Sequence, residues 1–214
     1  MKTVLIFTCL LLSLNALADN KFESAMTSAI EQLFTSDSPE KVKQVIATFE
    51  RIAQAEDNRW EPAYYTALSY LWLSGMMQGQ TQDKKSMDAL LDEAQKFHDL
   101  AALKNPQGAE LLVIQGYIHM MRLTVDPMGR GPELAPKTTM TFQQALAMDP
   151  NNPRAMLMLG SMKLGEAQYF NGDTSEACKL IHKADEALDK QKPADKLSPT
   201  WGKELTSIFL QSCQ

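Results

Sequence analysis

Apolar residues recur along this chain every three or four positions, the period of a helix with one buried face, and alternating strand-like runs are nearly absent. Residues 21–34 carry Phe22, Met26, Ile30, Leu33 and Phe34 on one stripe. The stretch "SDSPEK" starts the next helix: Ser38 as N-cap, Pro39 in the first turn, and Glu40 beside the positive helix end. That second helix carries Val42, Val45, Ile46, Phe49, Ile52 and Ala53. "EPAYYTALSYLWL" opens a third, and a fourth follows the polar "QGQTQDKK". A fifth spans about 108–124, and a sixth ends in "QQALAMDPNNP". The seventh and eighth flank "FNGDTSEA", and a short last helix lies near 200–212. Between the fifth and sixth stands "VDPMGRGPELAPKTT", residues 125–139. Its prolines and glycines predict a loop, with Asp126-Pro127 ending the helix before it.

The helices come in consecutive pairs joined by polar turns, and the seams between pairs align. "AALKNPQGAELL" and "ALAMDPNNPRAM" each place an alanine, a later proline and a new helix. "RIAQAEDNRWEPAYY" has the same form with Asn58 in place of the proline, and Ala184 in "HKADEAL" fits the last copy. Ala53, Ala101, Ala145 and Ala184 thus mark points where small side chains let two helices approach closely. A single hairpin cannot cover its own apolar face, so such hairpins stack and share a core.

These residues resemble the tetratricopeptide repeat (TPR) family. The copies that carry the resemblance are "ALAMDPNNPRA", followed by Leu159-Gly160, and "NGDTSEACKLIHKA". Ala177 and Ala184 stand about two helical turns apart, as do Ala94 and Ala101, and Gly116 takes the place of Gly160 in its own repeat. The copies are longer than the family period of about 34 residues. The extra length falls in "SGMMQGQTQDKK", "VDPMGRGPELAP" and "GEAQYFNGD". The whole chain is also similar to exported, divergent TPR-like proteins of Gram-negative bacteria, through the "DPM-RG" stretch, the "F-G" turn and the terminal Pro199, Trp201, Gly202 and Lys203. The resemblance implies an all-α fold: a right-handed α-solenoid of about four antiparallel hairpins, closed by a capping C-terminal helix. It further implies that the first helix of each hairpin lines a groove. By motif alignment Tyr65, Ser69 and Trp72 face that groove, then Glu110, Val113, Tyr117 and Met120, then Arg154, Leu157 and Ser161. Against this stands the reading of most of these aromatics as core.

Residues 1–18 differ from the rest. Lys2, the apolar "VLIFTCLLLSL" and the small-x-small Ala16-Leu17-Ala18 make a secretory signal peptide cleaved after Ala18, leaving 19–214 as one helical repeat domain. A lipid anchor on Cys9 fits poorly, because Thr8 stands where a small residue is expected. Cleavage leaves Cys178 and Cys213, which in an oxidising compartment form either a disulfide or two buried thiols. A periplasmic address follows.

The formal charge of −5 disfavours nucleic acid as a partner. Catalytic signatures are missing: there is no G-x-S-x-G, phosphate loop or H-E-x-x-H. His98, His119 and His182 lie on separate helices with no second ligand at metal-binding spacing, so neither metal nor cofactor is assigned. The thirteen methionines read as gap fillers between helices before they read as soft-metal ligands. Either Arg130 or Arg122 pairs with Asp126 or Glu133 and locks the Pro/Gly stretch, or Arg130 projects to hold a partner's carboxylate. The leading expectation is a non-enzymatic, exported protein-interaction module that buries a peptide or helix of a cell-envelope partner in its groove. The alternative is a carrier of a small molecule or metal ion, with a pocket lined by the three insertions.

Overall fold

The computed structural model describes the backbone of residues 2–78, 80, 83–105 and 108–213, and side chains from Asp19 onward within those ranges. The side chains of the expected signal peptide lie outside the described residues. Helix α1 (Lys2–Thr35) is followed by α2 (Pro39–Ala55), α3 (Glu61–Met77), α4 (Lys84–Lys104) and α5 (Ala109–Val125). Then come α6 (Pro127–Met148), α7 (Pro153–Tyr169), α8 (Ser175–Lys190) and α9 (Lys203–Leu210), with a 3-10 turn at Gln211–Cys213. No strand occurs among the described residues. None of their helices is long and apolar enough to cross a membrane.

Local chemistry explains the boundaries. The Ser38 hydroxyl accepts from the Lys41 amide at 3.4 Å and Asn152 Oδ1 from the Ala155 amide at 2.9 Å, each just before a proline in the first turn. Asp126 ends α5 and caps α6, accepting from the Gly129 amide at 3.3 Å.

That cap overturns the expected loop over 125–139. The stretch is the beginning of α6, with Pro132 and Pro136 inside the helix. Each proline removes one backbone donor. Packing makes up the loss, since Leu134, Thr138, Phe142 and Ala145 of the same helix are buried. Arg130 also differs from both readings. It points back to α4, where Nη1 and Nη2 each donate to an oxygen of Asp88 at 2.7 Å, and Nη1 reaches the Arg122 carbonyl at 3.2 Å. Neither Asp126 nor Glu133 takes it: Asp126 pairs with Lys84 at 3.0 Å.

Each helix packs on the next in sequence, and α1 touches α3, α3 touches α5, and α5 touches α7. One core runs through the stack from Phe22 in α1 to Trp201 before α9. The seam alanines Ala53, Ala101, Ala145 and Ala184 are all buried. The two matching glycines make the closest approaches. A Cβ on Gly116 would stand 2.3 Å from the Phe142 ring, and one on Gly160 would stand 2.7 Å from Ile181 Cγ1 and 3.3 Å from the Ala177 carbonyl. Gly160→Ala is therefore expected to overpack α7 against α8 and destabilise the fold by about 1–3 kcal/mol. Chemical denaturation at equilibrium checks this, and an unchanged midpoint would mean that α8 shifts at no cost.

Cys178 and Cys213 form a disulfide, which ties the turn after α9 to α8 across a separation of 35 residues. In the chain-entropy picture a loop of this length is worth roughly 3–4 kcal/mol. Lys203 adds pairs to Asp185 and Asp189 of α8 at 2.8 and 2.7 Å.

Candidate functional site

The shared face of α3, α5 and α7, where the groove was expected, is covered by the chain's own residues 191–202. The Tyr65 hydroxyl donates to the Leu197 carbonyl at 3.0 Å. Tyr117 stacks on Trp201, with ring centroids 6.2 Å apart. Gly202, at φ 122, packs against Leu157 and Arg154; this left-handed backbone suits a glycine. Ser69 is fully buried, donating to the Tyr65 carbonyl at 2.6 Å, and Val113 is fully buried as well. Tyr65, Ser69, Val113, Tyr117 and Leu157 thus face no open groove. Trp72 and Met120 are half-buried: Trp72 lies edge-on to Phe34, and Met120 Sδ accepts from Ser161 at 3.8 Å.

Glu110 and Arg154 organise a polar cluster under this cover. Arg154 is 3% exposed. Its Nε lies 3.0 and 2.9 Å from the two Glu110 oxygens, and Nη2 lies 2.8 Å from Oε1. Asn152 Nδ2 donates to Glu110 Oε1 at 2.7 Å and the Tyr64 hydroxyl to Oε2 at 3.1 Å. Trp201 Nε1 donates to Tyr64 at 2.8 Å. Arg154 Nη1 reaches Gln191 Oε1 at 3.0 Å, and Gln191 Nε2 donates to the Pro199 carbonyl at 3.2 Å. Burial, then the Glu110 charge, pushes the Tyr64 phenol well above its ordinary range. An opening of about 340 Å³ reaches the cluster and is lined by Glu110, Asn152, Arg154 and Gln191, with Trp60, Asn105 and Lys192 at its edge.

A second concavity, of about 450 Å³, lies between α6, α7 and α8 and is lined by Thr139, Gln143, Lys163, Glu166, Phe170 and Glu176 among others. Phe170 of that lining belongs to an exposed apolar group. Met128 is 77% exposed, Tyr169 60% and Phe170 71%. The Tyr169 hydroxyl donates to Met128 Sδ at 2.9 Å, and the Tyr169 and Phe170 rings meet edge-on at 5.0 Å. The end of α7 explains the position. Asn171 takes φ 53, the Gly172 amide bonds the Ala167 carbonyl at 2.7 Å, and the Asn171 amide reaches the Gln168 carbonyl at 3.4 Å. This left-handed helix stop fixes where the two aromatics leave the helix. The second and third insertions therefore meet here, Met128 from one and Tyr169-Phe170 from the other. None of these three was singled out from the sequence; the signal available was large apolar residues inside otherwise polar turns.

His98 and His119 are buried, whereas His182 is exposed. His98 Nε2 sits 3.1 Å from the Leu111 carbonyl, and Gln115 bridges His119 to Gln95 of α4. Burial, aided by Lys137, holds the His119 pKa down at about 4. Among the described residues no three His, Cys, Asp or Glu side chains gather as a metal site.

No family model matches the chain, and no curated protein matches it. Among solved structures, the HusA haemophore from Porphyromonas gingivalis matches over 90% of this chain and 92% of its own, with a TM-score of 0.78 and 23% sequence identity. At that identity the likeness shows a common helical fold.

Proposed function

We propose that this chain is a non-enzymatic, exported carrier of a flat, largely apolar small molecule of the haem type, seated on Met128, Tyr169 and Phe170 beside the α6–α8 concavity. The observation that carries this is the meeting of two insertions in an exposed thioether and two exposed rings, which leave a cluster of apolar side chains open to water. The concavity beside them is polar, lined by Thr139, Gln143 and Lys163 together with the carboxylates of Glu166, Asp173 and Glu176, and Lys163 pairs with Glu176 at 2.6 Å. The structural neighbour carries haem by its title, which fits a carrier better than a scaffold. The interaction-module reading has lost its groove to residues 191–202.

The finer architecture belongs to the same reading: a right-handed, TPR-like solenoid, exported after cleavage behind Ala18. The disulfide supports export, because such bonds persist in oxidising compartments. The protein partner would then be an envelope component that takes the cargo.

The experiment is a visible-absorbance titration of residues 19–214 with haemin. We expect saturable binding, weakened about tenfold or more by Phe170→Ala combined with Met128→Ala, at an unchanged melting temperature. Absence of saturable binding removes the haem reading, and full binding by the double variant moves the site elsewhere.

A further inference from the structure

We infer that the concavity between α6, α7 and α8 is a docking surface for a protein partner, and that it receives an arginine of an exposed segment whose neighbouring apolar residues lie on Tyr169 and Phe170. Charge complementarity carries this. The lining holds three carboxylates, Glu166, Asp173 and Glu176, against one cation, Lys163. Lys163 is already answered by Glu176 at 2.6 Å. The Glu166 side chain has no hydrogen bond or ion pair to another described residue. Asp173 takes only uncharged donors, the Ser175 hydroxyl at 2.6 Å and the Ser175 amide at 2.9 Å, and these hold its carboxyl below the ordinary carboxylate range. Two negative charges thus stand in the hollow without a counter-charge. A recess lined by one sign of charge concentrates its field on an entering cation.

Arginine fits this lining better than lysine. Phe170 belongs to the same hollow and is exposed. A guanidinium can lie flat on such a ring while its edge donates to carboxylates, which an ammonium does less well. A chain segment also fits better than a small amine. Phe170 meets Tyr169 edge-on and Tyr169 reaches Met128, so exposed apolar surface continues from the hollow. A small amine leaves that surface in water, whereas an apolar residue next to the arginine covers it. The left-handed stop at Asn171 and the turn at Asp173 fix rings and carboxylate beforehand, which lowers the ordering cost of docking.

The test is fluorescence anisotropy of residues 19–214, without haemin, with a labelled peptide in which arginine and leucine alternate. Saturable binding is expected, weakened about tenfold or more by Glu166→Gln combined with Asp173→Asn, and likewise by Phe170→Ala, at unchanged melting temperatures. Glu31→Gln combined with Glu40→Gln removes as much charge from exposed positions on α1 and α2 and is expected to change binding by less than about twofold. Peptides with lysine for arginine, or serine for leucine, are expected to bind about threefold or more weaker. Full binding by the Glu166–Asp173 variant, or no binding by the wild type, overturns the inference. So does an equal loss in the Glu31–Glu40 variant, because the field of the whole chain is then what binds. Equal binding of the lysine peptide overturns the role of Phe170 as a stacking face. Spermine that displaces the peptide at equal concentration overturns the protein partner in favour of a small amine. None of these results touches the carrier reading, which the haemin titration decides by itself.

Discussion

Replacing Arg154 with alanine is expected to cost about 3–5 kcal/mol of folding stability, because it leaves the Glu110 carboxylate under cover without a counter-charge. Burial alone would weaken the Arg154 charge; Glu110 more than offsets this and holds the guanidinium above its ordinary range. Tyr64 and Asn152 would still donate to Glu110, but two neutral donors do not replace a paired guanidinium. Gln191 Oε1 and the Trp201 carbonyl lose a donor as well. For a chain of this size the melting temperature falls by about 2–4 °C per kcal/mol, so a drop of roughly 6–20 °C at pH 7 is expected by circular dichroism. The double variant Arg154→Met with Glu110→Leu should recover much of the loss, since an apolar pair of similar bulk leaves no buried charge behind. An Arg154→Ala protein that melts like the wild type would mean that Arg154 is not what holds this cluster.

The contrast between Arg154 and Arg130 shows what was legible in the sequence. Helix starts at Ser38-Pro39 and Asn152-Pro153, the alanine seams, the two close-approach glycines and the disulfide all follow from local chemistry or short motifs, and the structure carries each of them. The covering of the face of α3, α5 and α7 was not legible, because a motif alignment identifies a helix face and is silent on which later segment lies against it. Arg154 therefore read as a groove contact and is an internal ion pair. The stretch 125–139 failed for a different reason. Its proline content outweighs helical propensity when read locally, whereas in the fold the Asp126 cap and the buried Leu134, Thr138 and Phe142 outweigh the lost donors. One consequence is the contact between Met128 and Tyr169. Met128 reaches Tyr169 because α6 begins as helix at Pro127, so a reader who expects a loop there has no means of bringing the two insertions together.

Trp201→Ala should have an effect of comparable size, about 3–5 kcal/mol, through loss of a fully buried ring. Four contacts meet at this residue. The indole stacks on Tyr117, its Nε1 satisfies the buried Tyr64 hydroxyl, its ring lies 6.0 Å from the Arg154 guanidinium, and its carbonyl accepts from Arg154 at 3.4 Å. Trp201→Phe separates the ring from the hydrogen bond. It keeps an aromatic surface against Tyr117 and leaves Tyr64 without its donor, a loss of about 1–3 kcal/mol. The alanine variant should also uncover the apolar residues beneath, so a dye that brightens on exposed apolar surface should bind it before global unfolding. Its 191–202 segment should become cleavable by a protease that spares the wild type. The disulfide keeps α9 tethered to α8 throughout, so reducing Cys178–Cys213 in the Trp201→Ala protein should release the whole C-terminal segment, whereas reduction alone should not. If Trp201→Ala resisted protease and bound no dye, the segment would be held by its other contacts. Tyr65 and Tyr117 would then owe their burial to the helices alone, and the covered face would have to be explained without residues 191–202.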